Sequence, residues 1–389
     1  MAQSGREGRL HPAVGTARHH TVAHLKRHLP GFDAAPTGKS GQRSSGEDQR
    51  DLESLPLVLV ACSGGPDSLA LASVAAHFSR RGDLRAGAVV VDHDLQPGSA
   101  EQAERAADQC RKLGLEPVRV MTAAVERNGM GPEMAARTAR YVALEEAARE
   151  VGASAVLLGH TLDDQAETVL LGLSRGSGTR SLAGMPEARE LREGSGGPLV
   201  LRPLLTLRRE DTHAICEAEG LSPWSDPTNE ERTFRRNQVR HEVLPYLEDR
   251  LGPGISVALS RTASVLGADA ELLEDLTDEA LRAAAVDPAA YQSVPDSQGR
   301  VVAGLSMPAL REMHRAIRRR VLARTVVGVG GESPSFERLG AMEDLLEATG
   351  KSGPIQLAGH VAVWRCRPLP TGGRRGAARE GALIYVVTD

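Results

Sequence analysis

Apolar residues alternate between two kinds of pattern from about residue 55 onwards. Short continuous runs, such as "LVLVA" at 57–61 and "AGAVVV" at 86–91, are separated by segments with apolar positions every three or four residues. The first pattern is typical of strands buried on both faces, and the second of amphipathic helices. The predicted strands are 57–62, 86–92, 117–121, 155–159 and 199–204, and the predicted helices are 68–78, 100–113, 132–151, 163–173 and 208–219. The alternation predicts an α/β fold, with a doubly wound, mainly parallel sheet.

The chain on either side of these elements has a different pattern. Residues 1–50 are frequent in Gly, Ser, Arg and His, which predicts a mobile basic extension in which one helix forms at 13–29. Beyond residue 251 helical spacing dominates, including a basic helix at 307–327, and runs at 355–366 and 383–387 are candidates for paired strands. We therefore predict an extension at 1–50, an α/β domain at 51–250, and a mostly helical domain with a small β element at 251–389.

Composition narrows the class of protein only a little. Hydrophobic residues make up 41% and charged residues 25%, as in soluble globular proteins, and the formal net charge is -4. A nucleic-acid surface would therefore have to be a local patch. No run of about 20 apolar residues is long enough to span a membrane, and the N-terminus lacks the apolar core of a signal peptide. These features predict a cytoplasmic protein with no membrane association.

The four cysteines are far apart in the sequence and form no C-x-x-C pair. This spacing argues against a metal or redox motif and favours small buried residues in a reducing compartment. The residues concerned are Cys62, Cys110, Cys216 and Cys366.

A polar loop interrupts the apolar pattern directly after the first predicted strand. It consists of Ser63, Gly64, Gly65, Pro66, Asp67 and Ser68. Ligands of open α/β sheets bind outside the carboxyl ends of the strands. The two glycines allow backbone N–H groups to approach a phosphate, and the N-terminus of the following helix adds partial positive charge. A carboxylate beside a phosphate is explained by Mg²⁺ between them. A capped turn made of the same residue types is the alternative.

A second polar cluster follows the fourth predicted strand, in "GHTLDDQAET" at 159–168. The carboxyl ends of parallel strands meet at one edge of the sheet, so this segment is expected to lie near the loop at 63–68. If Thr161 begins the helix, Asp164 and Glu167 share one face. Together with His160 and Asp163 they could hold Mg²⁺ or an ammonium group. Simple capping of the helix is the alternative, since acidic residues are common in a first turn.

Arginines are concentrated in three later segments. Arg137 and Arg140 lie on the predicted helix at 132–151, the segment 226–245 contains Arg236 and Arg240, and the basic helix at 307–327 includes Arg315, Arg318 and Arg319. The last helix has one acidic residue, Glu312, against six arginines. Such a face repels itself unless anions lie nearby, which favours nucleic acid over a merely solvated surface.

In their order along the chain, these stretches resemble the tRNA(Ile)-lysidine synthetase family of the N-type ATP pyrophosphatase (PP-loop) group. The matching pieces are "SGGPDS" at 63–68, "VDHDL" at 91–95, "ARTARY" at 136–141, "GHTLDDQAET" at 159–168, "RGSG" at 175–178, "LAGM" at 182–185, "RPLL" at 202–205 and "DPTN…RRNQVR" at 226–240. The resemblance is specific over 55–250 and weaker beyond. Gln96, Ser181 and Thr228 depart from the family's usual residues.

The resemblance implies an activity. Enzymes of this family use ATP to adenylate the C2 oxygen of the wobble cytidine in an isoleucine tRNA with a CAU anticodon, and pyrophosphate is released. Free L-lysine then attacks C2 through its ε-amine, and AMP leaves. ATP, Mg²⁺, tRNA(Ile) and lysine are thus the expected cofactors and partners, and the oligomeric state stays open, with a homodimer as one option.

The resemblance also implies residue roles. The loop at 63–68 would cradle the pyrophosphate, Asp67 and Asp163 would hold Mg²⁺, and Val91 and His93 would border the adenine. Asp164 and Glu167, with Arg137 nearby, would form the lysine site. One of the carboxylates or His160 would take a proton from the lysine amine. The candidate catalytic residues are Asp67, Arg137, His160, Asp164 and Glu167, and the candidate contacts to tRNA or phosphate are Arg236, Arg240, Arg315, Arg318 and Arg319.

Two other interpretations remain. A PP-loop tRNA 2-thiolation enzyme would use the same ATP chemistry with a sulfur nucleophile, but such enzymes commonly need paired cysteines. A non-catalytic tRNA-binding module would keep the loop only for nucleotide-dependent folding, which leaves the three acids and His160 unexplained.

Overall fold

A computed structural model describes residues 10–32, 54–92, 98–123, 131–176, 178–192, 194–291, 299–347, 352–369 and 381–388. The chain divides into two compact units, Met1–Gly267 and Ala268–Asp389. This division lies C-terminal to the domain boundary predicted at residue 250. Of the helices in the described part of the chain, none combines the length and apolar composition that a membrane span requires.

The first unit is built on a six-stranded sheet. Its strands are β1 (Leu57–Ala61), β2 (Arg85–Asp92), β3 (Val118–Thr122), β4 (Ala155–Leu157), β5 (Ala188–Glu190) and β6 (Leu199–Leu201). Their order is β3-β2-β1-β4-β6-β5. All neighbours pair in parallel except β5 and β6, which are antiparallel. The mainly parallel sheet is as predicted, and β5 is an additional strand in a segment where no strand was predicted.

Helices cover both faces of this sheet. Strand β1 is apolar at every position, as expected for a strand that is buried on both faces. Val58 and Val60 pack into one core, and Leu57 and Leu59 pack into another. The helices of this part are α1 (Pro12–His28), α2 (Pro66–Arg80), α3 (Ser99–Lys112), α4 (Pro132–Glu150), α5 (Leu162–Leu173), α6 (Thr179–Leu182) and α7 (Arg209–Ala218). Alternate residues of a strand point to opposite faces, so a continuous apolar run serves both layers.

Helix α1 corrects the prediction of a mobile extension over residues 1–50. Val14, Leu25, Leu29 and Phe32 are buried in the same core as α2. The interpretation therefore does not hold for residues 10–32. The apolar positions of this helix were visible in the sequence, but its polar surroundings concealed that it packs on the α/β domain.

The first unit ends in a succession of helices. They are α8 (Arg235–Gln238), a π-helical turn (Val239–Val243), α9 (Leu244–Leu251) and the beginning of α10 (Ile255–Ala284). A π-helical turn widens the helix locally and frequently accompanies a functional site.

The second unit combines helices with a larger sheet than predicted. Its helices after α10 are α11 (Met307–Glu312), α12 (Arg315–Gly328) and α13 (Phe336–Glu347), and its strands are β7 (Arg300–Ser306), β8 (Ile355–Leu357), β9 (Val361–Cys366) and β10 (Ala382–Val387). The strands form an antiparallel sheet in the order β7-β10-β9-β8. The predicted single basic helix at 307–327 is two helices, because Met313 and His314 have extended backbone conformations between them.

Candidate active site

The two polar motifs meet where the sheet changes direction. The chain runs from β1 outward through β2 and β3, and then returns to the other side of β1 with β4. Ligands of such sheets bind at this switch point. Gly159 follows β4, and a Cβ there would lie 2.8 Å from the carbonyl oxygen of Asp67. Glycine at this position therefore lets the segment after β4 touch the loop after β1.

The loop at 63–68 is held in shape by its own serines. The Ser63 N–H donates to Ser68 Oγ at 3.1 Å, and Ser68 Oγ donates to the Gly65 carbonyl at 3.0 Å. Gly64 has φ of 80°, a conformation that favours glycine. Helix α2 begins at Pro66 and is 15 residues long. The loop thus aims a helix N-terminus at the switch point, which is an arrangement suited to phosphate.

Asp67 lies in the first turn of α2, and its side chain remains 25% exposed. Its Oδ1 accepts a hydrogen bond from Thr212 Oγ1, and its Oδ2 lies 3.9 Å from Arg209 Nε. Burial raises the pKa of Asp67, and the nearby Asp164 adds to this, against the opposing effect of Thr212 and Arg209. One carboxylate oxygen is therefore left for a cation.

Asp164 and Glu167 lie on one face of α5, as predicted. Thr161 caps this helix in a capping box, in which the Thr161 N–H donates to Asp164 Oδ2 at 2.8 Å. Capping thus accounts for one oxygen of Asp164, and the other is turned towards arginines. Glu167 is completely buried, and such a carboxylate has to be paired.

Three arginines supply that pairing. Arg236 Nε donates to Glu167 Oε2 at 2.8 Å, and Arg240 Nε donates to Glu167 Oε1 at 2.7 Å. Arg209 Nη2 donates to Asp164 Oδ1 at 3.1 Å and to Glu167 Oε1 at 3.3 Å. Burial raises the pKa of Asp164, but Arg236 and Arg209 outweigh it and hold that pKa below its usual value.

Arg236 and Arg240 reach the same carboxylate from two different helical segments. Arg236 belongs to α8, and Arg240 to the π-helical turn that follows. The wider turn places them on one side of the chain, four residues apart, around Glu167. We name these three arginines and two acids (Arg209, Arg236, Arg240, Asp164 and Glu167) the α5 cluster.

Arg209 was missed in the sequence, although it connects the two motifs. It is the first residue of α7, its side chain pairs with Asp164 and Glu167, and it also approaches Asp67. The segment "LRRED" at 207–211 has the pattern of an ordinary helix start. Its position shortly after the "RPLL" motif was the one feature of the sequence that could have indicated a role for Arg209 in the site.

Arg137 is placed against an aromatic ring. Its guanidinium lies 5.1 Å from the centre of the Tyr141 ring, and Nη2 donates to the Tyr141 hydroxyl at 3.5 Å. Arg202 is buried and donates to the same hydroxyl at 3.4 Å and to the Pro186 carbonyl at 2.7 Å. Burial raises the pKa of Tyr141, but Arg202 and Arg137 outweigh it and the pKa is lowered.

His160 is held in its neutral form. Burial lowers its pKa to about 3, and Arg202, Arg140 and Arg236 add to this effect, against the opposing effect of Asp164. Its Nδ1 is buried without a hydrogen-bond partner among the described residues. An imidazole in this state is a poor acceptor for the proton of an amine.

The remaining predicted residues of this unit have varied surroundings. Asp163 Oδ2 accepts a hydrogen bond from the Arg209 backbone N–H at 2.7 Å, and Oδ1 lies 3.9 Å from Arg208 Nη2. Val91 lies near the carboxyl end of β2, where it pairs with Met121. His93 lies outside the described residues.

The arginines of the second unit have a counter-ion of their own. Arg315 Nε lies 3.5 Å from Glu343 Oε2, Arg318 Nε donates to Oε1 at 3.2 Å, and Arg319 Nε donates to Oε2 at 2.8 Å. Arg320 and Arg324 pair with Glu274 on α10. The argument that this face needs external anions is therefore wrong, because the neighbouring helices supply them.

The described cysteines fit their predicted role. All four are buried and free of disulfide bonds. Three of them, Cys62, Cys110 and Cys216, belong to the core of the first unit.

Comparison with known proteins connects this site to a class. A PP-loop domain model matches residues 43–247, and a TilS substrate binding domain model matches residues 305–367. The U34-tRNA thiolase NcsA from Methanococcus maripaludis, solved with its 4Fe-4S cluster, superposes with a TM-score of 0.50 at 17% identity, covering 65% of this chain and 79% of that one. This likeness shows the fold alone. The fold and the loop after β1 define a PP-loop ATP-utilising protein.

Curated relatives narrow the class further. The tRNA(Ile)-lysidine synthase of Thermobifida fusca is 46% identical over 338 residues, which cover 86% of this chain and 93% of the relative. That of Salinispora tropica is 44% identical over 329 residues, with 84% and 92% covered. The chain belongs to the tRNA(Ile)-lysidine synthase family.

Proposed function

We propose that the chain joins free L-lysine to C2 of the wobble cytidine in an isoleucine tRNA, with ATP converted to AMP and pyrophosphate. Membership of the family supports the reaction, and one observation supports its proposed location. Arg209 pairs with Asp164 and Glu167 while approaching Asp67, so the proposed phosphate and amine ends of the site share one side chain. ATP-dependent 2-thiolation is not favoured, since the cysteines are buried and scattered.

We assign the first half of the reaction, in which ATP reacts and pyrophosphate is released, to the loop after β1. The N-terminus of α2 and the loop's backbone would bind the pyrophosphate part of ATP, because partial positive charge stabilises the leaving group. Asp67 would hold Mg²⁺, which neutralises negative charge on the phosphates. Asp163 is the second proposed Mg²⁺ ligand, and like Asp67 it has one oxygen in a hydrogen bond and the other 3.9 Å from an arginine. Val91 and His93 stay the proposed border of the adenine.

The second half of the reaction, the attack of lysine, requires the acids of the α5 cluster to exchange an arginine partner for the lysine ammonium. Its two carboxylates carry two negative charges against three guanidinium groups, so a lysine ammonium would enter a site that is already positive. The arginines are 22–27% exposed, so part of each side chain meets solvent. We therefore propose that bound phosphates draw one arginine away, and that Asp164 and Glu167 then receive the ammonium. Lysine would bind after ATP and tRNA.

The proton of the attacking amine has to leave before C2 is attacked. We place its acceptor at a carboxylate other than Asp164, since burial and arginines hold the pKa of His160 at about 3 and the arginines hold that of Asp164 below its usual value. Arg137 lies beside the half-buried Tyr141, which also contacts the buried Arg202, and it would orient the substrate from that wall of the site.

The tRNA would be held by both units. The segment that matches the TilS substrate binding domain contains Arg315, Arg318 and Arg319. Arg315 is 65% exposed and offers its charge most readily, while the other two are largely occupied by Glu343. A cytoplasmic location, where tRNA and free lysine are found, completes the proposal, and a homodimer stays one option for the oligomeric state.

The test is pyrophosphate release from ATP in the presence of tRNA(Ile). Release that depends on the tRNA, with AMP formation completed only when lysine is added, supports the proposal. Dependence on a sulfur donor instead would select thiolation, and tRNA binding without turnover would select a non-catalytic module. Either result would overturn it.

Asp67 is tested in the same assay. We expect Asp67→Asn to fold normally and to lower pyrophosphate release by at least about 100-fold. Asp287→Asn, which alters an exposed capping aspartate in the second unit, is the matched control. Near-normal release by Asp67→Asn would contradict the proposed Mg²⁺ role.

A further inference from the structure

A group of metal-ligating side chains lies away from the active site, between α1 and the segment before β5. His24 and His28 are four residues apart on α1, so they lie on one face of the helix. Glu187 directly precedes β5 and faces both imidazoles. Two histidines at this spacing with one carboxylate form a common protein ligand set for zinc.

The distances are close to those that a single ion requires. Glu187 Oε2 lies 3.8 Å from His24 Nδ1 and 3.4 Å from His28 Nε2, and the three ligand atoms all lie within 4.8 Å of one another. Zinc–nitrogen and zinc–oxygen bonds of about 2.0–2.2 Å bring tetrahedral ligands to about 3.4 Å apart. Small movements of the side chains would complete the site.

The state of His24 points in the same direction. Its ring is only 7% exposed, and its Nε2 is buried without a hydrogen-bond partner among the described residues. The nitrogen that faces Glu187 is Nδ1, and it is the atom that this ring offers to a metal.

Arg27 shares the carboxylate oxygen of Glu187 that the two histidines approach. Its Nη1 donates to the same Glu187 oxygen at 3.1 Å, while 67% of its side chain is exposed. An exposed ion pair of this kind contributes little to stability, so the arginine can turn into solvent at small cost. The oxygen shared by Arg27, His24 and His28 is then available to a divalent cation.

We propose that His24, His28 and Glu187 form a binding site for a divalent transition metal of the zinc class. Water would fill the fourth position. The ion would fasten α1 to the edge of the sheet at β5, and it takes no part in the ligation of lysine.

Zinc titration of the full-length, metal-free protein by calorimetry tests this proposal, with cobalt as a spectroscopic probe. We expect one ion per chain and a cobalt spectrum of nitrogen and oxygen ligands without a thiolate charge-transfer band. His28→Ala and Glu187→Gln change partly exposed residues, and circular dichroism will check their fold. Each should weaken zinc binding by more than about tenfold.

Two further variants make the test specific. His19→Ala removes an exposed histidine of the same helix that lies outside the group, and we expect it to bind zinc like the wild type. Arg27→Ala removes the competing cation and should bind zinc several-fold more tightly. Absence of stoichiometric binding, unchanged affinity in His28→Ala and Glu187→Gln, a thiolate band, or no tightening in Arg27→Ala would overturn the proposal.

Discussion

Both units of the chain gather three arginines around buried acids, but the two groups differ in how much solvent they meet. In the α5 cluster Glu167 is completely buried and the arginines are 22–27% exposed. In the second unit Glu343 is 12% exposed, its partners Arg318 and Arg319 are 18% and 19% exposed, and the third partner, Arg315, is 65% exposed. The first group is an enclosed network in which every charge depends on the others. The second joins α12 to α13 and leaves one arginine largely in water.

This difference in solvent exposure indicates which arginines are available to a ligand. Charges in an enclosed network interact strongly, so a substrate that replaces one partner changes the whole group. Charges at the surface are screened, and they contribute to binding nearly independently. We therefore expect the α5 cluster to respond to substrate as a unit, and Arg315 to act as a separate contact.

The largest expected effect comes from removing the buried acid. Glu167→Gln leaves three guanidinium groups against Asp164 alone, and it should lower the free energy of unfolding by about 3 kcal/mol. It should also abolish lysine-dependent turnover. Urea denaturation and the AMP-release assay are the measurements.

The equivalent change in the second unit is the matched control. Glu343→Gln removes an acid that is partly exposed, and it should cost about 1 kcal/mol with lysine affinity unchanged. Equal costs in the two variants would mean that enclosure does not distinguish the clusters.

A smaller effect is expected in the salt dependence of tRNA binding. Arg315→Gln should reduce the slope of log K against log salt by about one unit, because an exposed guanidinium releases counter-ions when it meets a phosphate. Arg318→Gln and Arg319→Gln should change the slope less, since Glu343 already pairs with both. Filter binding across a salt series measures this. A larger change for Arg318 and Arg319 than for Arg315 would reverse our assignment.

The smallest expected effect on activity concerns His160 and pH. His160 has its pKa lowered from 6.5 to about 3 by burial and neighbouring arginines. The unfolded chain therefore takes up a proton first, and the wild type loses stability as pH falls from 6.5 towards 3. The His160→Asn variant should lose less stability than the wild type as pH falls from 6.5 towards 3. Above pH 6.5 it should show the same pH–rate profile as the wild type. Denaturation at a series of pH values checks the first expectation, and an altered profile would show that His160 does exchange a proton in the reaction.

The sequence predicted the parts of the fold that depend on local pattern. The strands at 57–61 and 85–92 are continuous apolar runs, and their burial on both faces follows directly. The meeting of the loop at 63–68 with the segment at 159–168 also followed, because both lie after parallel strands. Strand β7 was missed, since its residues range from exposed to buried without alternation, and Gly304 interrupts its apolar run.

The site was predicted less completely, because ion pairs join residues that are distant in the chain. Asp164 and Glu167 were identified from their spacing, but their pairing with Arg209, 42–45 residues further on, was not. Glu343 was overlooked for the same reason. The charge of the helix at 307–327 was counted within the helix, while its counter-ions lie on α13 and α10.

Mass analysis of the tRNA tests the central claim most directly. An unmodified tRNA(Ile) with a CAU anticodon is incubated with the protein, ATP, Mg²⁺ and lysine, and the nucleosides at the anticodon are then weighed. We predict that the wobble cytidine gains the mass of one lysine less one water, and that this gain is absent without ATP and with Glu167→Gln. An unmodified cytidine in the complete reaction, or a gain of sulfur instead, would contradict this account.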